Sequence, residues 1–452
     1  VDWEIMGTIT VPIILEKLKE GYDQLEKFDV IVVGGGLAGL AAAYTLAQHD
    51  LEVLVLERGD YCGAKNLTGG RLYINPIRNL FPDLWQKAPL ERPIVREGVM
   101  IMAAEGSLAI NYTGADLASE PYQSYSVLRA KFDRWFAREV ERQGAAIVTK
   151  TRVSDVIIQD GQVCGVRADG EELRADVVIA CDGVLSLIAE KAGLRKPGNA
   201  KDYAVGVKEV IELEAGLIEE RFGLEGNEGA ACLFMGAVTK GIFGGGFLYT
   251  NQNSLSLGIV VGISDLIASE SAVSIPALLE EFKQRPEIAR LIKDGTSVEY
   301  GAHVIPEGGA AALTRLYGPG ILVAGDAAGF AMNIGITVRG MEYAMASGYY
   351  AAQAVLKARE KNDYSVQALS SYEALLKESF VMKDFLNFKN APLALSNPRL
   401  YSHYPELIND IMADLYSVPA GQKERLYPTI RKYLNWREML AMAGDMRKVM
   451  KL

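Results

Sequence analysis

The sequence predicts an α/β protein in which a largely parallel, helix-covered sheet is assembled from separated stretches of chain. A second, sheet-based domain and a helical C-terminal region accompany it. Three observations carry this expectation. The apolar run Phe28 to Val33 breaks into Gly34, Gly35 and Gly36, continues as a helix rich in small residues, and returns as a second apolar run closed by Glu57. Nearly 300 residues later another apolar run, Gly320 to Ala324, ends in Gly325-Asp326-Ala327-Ala328-Gly329 before a long helical pattern. Between them, residues 203–300 hold β-type runs separated by Gly and Asn.

Composition narrows the classes. At 452 residues the chain is too long for one ordinary core, which points to two or three domains. With 49% hydrophobic and 23% charged residues it is a folded, rather apolar protein, not a disordered or fibrous one. A net charge of -10 gives nucleic acid no claim as the main partner. Cys62, Cys164, Cys181 and Cys232 form no CxxC pair, and His49, His303 and His403 are far apart, so no metal site is expected. The cysteine usage fits a reducing compartment. No signal peptide is visible, and no run approaches the roughly 20 apolar residues needed to span a bilayer.

In chain order, residues 1–26 read as an amphipathic arm, with Ile13, Ile14, Leu15, Leu18, Tyr22 and Leu25 set among mixed charges. Strand, turn, helix and strand follow from Phe28 to Leu56. Short strands are expected at Val99 to Met102, Ser107 to Tyr112, Ala146 to Val148 and Val153 to Gln159. Asp160-Gly161 turns the last of these into a hairpin with Gln162 to Arg167. Asp176 to Ala180 is a further buried strand. Ala231 to Met235, Gly246 to Tyr249 and Leu255 to Val261 belong to the second sheet, and Ile275 to Phe282 is helical. A long helix is expected from about Thr337 to Ala358, and the tail beyond Asn362 is mostly helical. The proposed division is 1–26 as an extension; 27–80, 125–200 and 301–360 as the discontinuous nucleotide domain; 81–124 and 201–300 as the substrate domain; and 361–452 as a helical region facing a partner or membrane.

Gly34-x-Gly36-x-x-Gly39, with Leu37 and Ala38 inside it, has the setting of a dinucleotide fingerprint: a strand before, a helix opening within, and an acid after the next strand. The first glycine permits the turn, the second admits a pyrophosphate, and the third lets helix and strand pack closely. Free amides and the helix dipole favour the phosphate charge. Glu57, 21 residues beyond Gly36, is placed to accept ribose hydroxyls, which favours FAD or NAD over NADP. Gly325-Asp326 is a second signal: a carboxylate there suits a ribityl hydroxyl, although Asp is also a common N-cap. The helix that follows is expected to aim its N-terminus at the flavin pyrimidine edge.

With these motifs, the segment Cys62 to Tyr73, Cys181-Asp182-Gly183 and Gly325 to Ser347, the chain resembles the FixC branch of the electron-transfer-flavoprotein:quinone oxidoreductases. That branch sits in the glutathione-reductase-type FAD superfamily, beside geranylgeranyl reductases and aromatic hydroxylases. The likeness covers nearly the whole chain, and Ala331 to Gly340 is distinctly FixC-like. It implies FAD, with Gly34, Gly36, Leu37, Ala38 and Gly39 at the pyrophosphate and Glu57 and Arg58 at the adenosine. It also implies Lys65, Asn66, Gly69 and Gly70 near the flavin ring, and Arg129 near the phosphates. Val153, Asp182, Gly183, Gly325, Asp326, Gly335 and Ile336 complete the cofactor set. A glycine-rich strand lines the ubiquinone head group in the full-length enzymes; here it corresponds to Gly244, Gly245, Gly246 and Phe247, which also read simply as a glycine-rich strand or bulge.

The larger enzymes carry a four-cysteine [4Fe-4S] module, and no cysteine follows Cys232. The resemblance therefore implies a FixABCX-like complex. Its electron-transfer flavoprotein alpha and beta subunits would deliver electrons, a separate ferredoxin-like iron–sulfur subunit would hold the cluster, and a membrane quinone would accept. The flavin carries the chemistry, so no catalytic side chain is expected. Ile242, Phe243, Phe247, Phe380, Phe385, Phe388, Leu393 and Leu395 are candidates for an apolar quinone path, or else core or subunit interface. Peripheral, monotopic attachment at the cytoplasmic side of the cell membrane follows from the same likeness. The alternative is geranylgeranyl reductase-like saturation of isoprenoid double bonds.

Overall fold

The computed structural model describes residues 27–66, 70–269 and 274–451. The amphipathic arm expected in 1–26, and Gly69, lie outside them.

The strand Phe28–Val33 is central in the first sheet, and residues Val30 to Val33 are all buried. Such a run without polar alternation belongs where both faces of a sheet are covered. It pairs in parallel with Val53–Leu56 on one side and Glu171–Ala180 on the other. Ala146–Val148 extends the sheet beyond Val53–Leu56, and Ile321–Val323 extends it beyond Glu171–Ala180, both in parallel. One plane thus gathers chain from four regions. The expected hairpin, Val153–Gln159 with Gln162–Ala168, joins antiparallel to the long strand's first half.

The helix Leu37–Leu46 buries all ten residues. A helix apolar on every side needs neighbours on every side. It lies between the sheet and the helix Met341–Arg359, where Gly348 comes so close that a Cβ there would stand 2.0 Å from the Ala38 carbonyl oxygen. Farther along, Tyr372 in the helix Ser371–Glu378 donates its hydroxyl to the Val323 carbonyl at 3.0 Å, pinning the helical region to the sheet edge.

The second sheet has seven strands in the order Thr296–Pro306, Tyr203–Glu212, Ser254–Gly262, Gly244–Thr250, Gly229–Gly236, Ile94–Met102 and Ser107–Thr113. One face buries Leu248, Leu257, Ile259 and Val261 against Leu278, Leu279 and Phe282 of the helix Ile275–Gln284. Its other face carries polar groups that bear on the site described below.

Two expectations need correction. The strand expected from Val99 begins at Ile94; Arg96 and Glu97 hid its start because they interrupt the apolar pattern. Both are satisfied by partners from elsewhere: Arg96 donates to the Phe222 carbonyl, and Glu97 pairs with Arg71. The long helix starts at Met341, not Thr337. Val338–Arg339 forms a two-stranded ladder with Met332–Asn333, and Gly340 separates it from the helix. Asp326 lies within a single 3-10 turn, Gly325–Ala327, and the next helix is the one that begins at Met341.

Candidate functional site

Gly34 has φ +104°, and a Cβ there would lie 2.3 Å from the Cys181 carbonyl oxygen, so only glycine turns the chain at this point. At Gly39 a Cβ would lie 2.0 Å from the Gly34 carbonyl oxygen. Gly36 differs: its nearest neighbour would be Asn66 Nδ2 at 3.9 Å, so this glycine fronts open space. The first bond of the helix runs from Leu40 N–H to the Gly36 carbonyl at 2.9 Å, leaving earlier amides of the turn without intrahelical acceptors. A glycine-walled opening beside a helix N-terminus fits a pyrophosphate.

Glu57 is buried beneath this turn. Its Oε2 accepts from Gly35 N–H at 2.8 Å and its Oε1 from Gly59 N–H at 2.6 Å. The carboxylate therefore fixes the loop, and its remaining lone pairs are available to ribose hydroxyls. Arg58 beside it is exposed. Thr151 N–H donates to the Glu57 carbonyl at 2.9 Å, which sets the start of the hairpin, with Val153 two residues on, against the same strand end.

The second turn meets the first. Gly325 has φ +68°, and a Cβ there would stand 2.7 Å from Ala38 Cβ. The Gly325 N–H donates to Ser347 Oγ at 2.9 Å. Asp326 makes no hydrogen bond through its carboxyl to a described residue; burial pushes that group up, with Arg129 pulling it back. An unsatisfied acceptor next to the phosphate turn fits a hydroxyl of a ribityl chain. Arg129 is held by Asp133, with two bonds of 2.8 Å, and Asn66 donates to the same carboxylate at 2.6 Å. Asp133 was not expected, although its i,i+4 spacing from Arg129 on one helix was a readable signal.

The remaining expected residues separate. Asp182 accepts from Ser186 Oγ and Ile188 N–H, both at 3.0 Å, so its carboxyl caps a short helix, while its backbone flanks Gly34. Gly183 faces open space. Lys65 is exposed, Gly70 abuts Met341, and Gly335 sits against Leu395 with Ile336 exposed beside it.

The second sheet's polar face approaches this cluster. Lys208 is buried; desolvation and then the nearby Arg129 push its ammonium down to about 7. His303 is pushed down by burial, Arg129, Arg58 and Lys208. Lys208 lies 5.8 Å from the Phe247 ring, which stacks on Tyr249 at 5.3 Å. Close by, Arg71 is buried between Glu97 and Ser124 and covers Tyr73 at 4.4 Å. Lys208 was readable as the lone cation in an apolar strand. Arg71 lies within the Cys62 to Tyr73 motif, where sequence alone gives it no role.

The glycine strand is split by the pleat. Phe247 shares the polar face with Lys208, whereas Gly246 faces the core, where a Cβ would meet Phe282 at 2.9 Å. At Gly244 and Gly245 a Cβ would strike the carbonyl oxygens of Val260 (2.0 Å) and Phe234 (2.5 Å). The aromatic candidates divide too. Phe385 is core, packed on Phe330 and Tyr343, and Phe380 stacks on Tyr343 at 5.8 Å. Phe243, Phe388 and Leu395 instead line a narrow crevice with Glu307 and Asn333. Leu393 is exposed.

Fold and site together define an FAD-dependent oxidoreductase, in which the cofactor supplies the redox chemistry. The FAD-binding-domain family matches residues 27–221, the ubiquinone-binding family of ETF-QO matches 203–305, and the ETF-QO/FixC family C-terminal domain matches 391–452. Protein FixC of Salmonella typhi is 49% identical over 391 residues, 86% of this chain and 91% of that protein. The probable electron transfer flavoprotein-quinone oxidoreductase YdiS of Escherichia coli is 42% identical over 87% of this chain and 91% of its own length. The chain belongs to the ETF-QO/FixC family, and its work is FAD-dependent electron transfer. A geranylgeranyl bacteriochlorophyll reductase-like protein from Thermoplasma acidophilum shares the fold, with a TM-score of 0.69, 22% identity, and coverage of 93% of this chain and 99% of that one. At that identity it speaks for the fold alone.

Proposed function

We propose that this chain accepts electrons from a two-subunit electron-transfer flavoprotein and passes them, through its FAD, to a lipid quinone. It would do so within a complex whose separate ferredoxin-like subunit holds the iron–sulfur cluster. The observation that carries the acceptor side is the position of Lys208. It sits on the strand Tyr203–Glu212, close to Arg129 of the cofactor cluster and to Phe247 of the glycine strand. The nearness of Lys208 to both supports a short path between the glycine strand and the cofactor site.

Bound FAD supplies two-electron chemistry, and the protein's residues bind, orient and tune. The amides of the glycine turn and Arg129 would hold the pyrophosphate, Glu57 the ribose and Asp326 the ribityl chain. Lys208, when protonated, would add positive charge beside Arg129, which favours a negatively charged cofactor. Among the described residues no helix is long and apolar enough to cross a membrane. Leu386, Leu393, Tyr416, Leu426, Tyr427 and Trp436 are exposed apolar side chains on the helical C-terminal region. Such a surface supports a partner or a monotopic contact at the cytoplasmic face of the membrane.

The test is anaerobic reduction of the chain's flavin by its co-purified partners, followed by reoxidation with quinone analogues. A flavin that its partners reduce but no quinone reoxidises overturns the acceptor. The FAD is expected to leave with the supernatant on acid precipitation, and a yellow pellet would contradict non-covalent binding. Iron and acid-labile sulfide should accompany the complex and be absent from the isolated chain.

A further inference from the structure

Quinone reduction raises a question that electron transfer alone does not answer: the product quinol has gained two protons in an apolar setting. One ionisable side chain lines the crevice between Phe243, the segment Ala331 to Asn333, and the helix Ala391–Leu395, and it is Glu307. We propose that Glu307 is the proton-entry group of this protein, relaying protons from solvent along the crevice to the quinone. The inference rests on the quinone reading above.

The geometry has three parts. First, the crevice has room for no more than about one water molecule, the width suited to a relay rather than to bulk solvent. Second, its walls come from three places that matter to the reaction. Phe243 precedes the glycine strand, Ala331 to Asn333 lead into the segment implied to flank the flavin, and Pro392 and Leu395 belong to the helical region. Third, Glu307 is anchored in the crevice wall. Its backbone N–H donates to the Asp202 carbonyl at 2.8 Å, its carboxyl is hydrogen-bonded with Asn333, and the residue as a whole is partly exposed while the carboxyl itself is desolvated.

The surroundings favour proton exchange near neutrality. Desolvation pushes the Glu307 carboxyl up to about 7, against the Asn333 hydrogen bond that lowers it. Tyr401 lies near it, with its hydroxyl donated to the Leu395 carbonyl at 2.8 Å; burial, then Glu307 and Asp265, hold that phenol well above its ordinary range. Asp202 packs beside Gly308, next to Glu307. Reduction of a quinone to its quinol takes two electrons and two protons: bound, reduced anionic FAD would supply both electrons and one proton, and Glu307 would supply the second proton and regain it from water.

The experiment uses the FAD-loaded protein reduced with dithionite and mixed anaerobically with a water-soluble quinone or with ferrocenium, which accepts an electron and no proton. In Glu307→Gln the ratio of quinone to ferrocenium rate should fall at least tenfold, in kcat more than in KM, and the inflection near pH 7 should vanish. Glu307→Asp should restore part of both. Independently of turnover, infrared difference titration should show a carboxyl band lost between pH 6 and 8 in the wild type and missing from Glu307→Gln. An unchanged ratio and pH profile, or equal slowing with both acceptors, overturns the relay. If the wild type is reoxidised by ferrocenium and by no quinone, the quinone reading fails first and the relay falls with it; the infrared band then still reports whether Glu307 titrates.

Discussion

Replacing Gly348 by alanine adds one methyl group at the tightest contact between the helices Leu37–Leu46 and Met341–Arg359. The new Cβ would stand 2.0 Å from the Ala38 carbonyl oxygen, where ordinary contact begins at 3.4 Å. Neither side can yield locally, because the obstacle is backbone and Ala38 also packs against Gly325. The helices must therefore separate by more than an ångström, and Ala38 lies in the first turn that faces the phosphate site. Overpacking of this kind costs about 1–3 kcal/mol. If half of that strain is relieved when the cofactor is absent, FAD binding weakens by roughly three- to tenfold, at about 1.4 kcal/mol per decade. Gly444→Ala is the internal control: it lies inside the helix Trp436–Val449 with nothing within 4 Å of the added Cβ. There the same substitution should stabilise by up to about 1 kcal/mol through helix propensity. Calorimetric titration of apoprotein with FAD and urea unfolding measure both effects. Wild-type affinity and stability in Gly348→Ala would refute the claim that the helix contact sets the turn's position.

Three further outcomes are expected. Glu57→Gln presents an amide NH₂ to either Gly35 or Gly59, whose N–H groups both need acceptors; a loss of about 1–3 kcal/mol in loop order should appear as at least fivefold weaker FAD binding by fluorescence quenching. Arg339→Met strands Glu342, which is fully buried and bonded to Arg339 at 2.6 Å. The variant should lose about 3–5 kcal/mol in urea unfolding, and Arg339→Met with Glu342→Gln should recover part of it. The third concerns pH: folded Lys208 releases its proton near pH 7, while the unfolded chain holds it to about 10.4. The unfolded state binds more protons between these values, so apoprotein stability should rise with pH from 7 towards 10. Lys208→Met should flatten that rise.

The nucleotide turn was legible because its chemistry is local. A glycine that must adopt φ +104°, an opening left for phosphate, and an acid at a fixed distance all fall within 30 residues of one another. Pairings that bridge distant segments left weaker traces. Asp133 organises Arg129 and Asn66, yet in sequence it is one more acid on a charged helix. The start of the strand at Ile94 was hidden because Arg96 and Glu97 look like solvent-facing charges until Phe222 and Arg71 supply their partners. The helix boundary falls at Met341 for a related reason: no proline or strong N-cap separates Thr337 to Gly340 from the helix in sequence, and only the pairing of Val338–Arg339 with Met332–Asn333 shows that stretch to be extended. Phe385 and Phe388, three residues apart, could not be told apart as core and crevice until the turn after the helix Phe380–Asn387 set their directions.

The placement of charge gives these features a common sense. An electron-transfer flavoprotein must stabilise negative charge on a buried ring without stranding the same groups when the charge leaves. Here each cation near the site has a fixed partner or a reversible proton. Arg129 is held by Asp133, Arg71 by Glu97 and Arg339 by Glu342, pairs whose charge is nearly constant across neutral pH. Lys208 and Glu307 are pushed by burial in opposite directions, one down and one up, to about the same value near 7. With FAD and quinone bound, a lysine able to gain a proton as the ring becomes negative, and a carboxyl able to give one up as the quinone is reduced, would keep the interior close to neutral. On this argument the double variant Lys208→Met/Glu307→Gln should show a flavin midpoint potential that no longer shifts with pH between 6 and 8 beyond the flavin's own proton, whereas each single variant keeps part of the slope. A potential whose pH slope is the same in wild type and double variant would remove the link between the two groups.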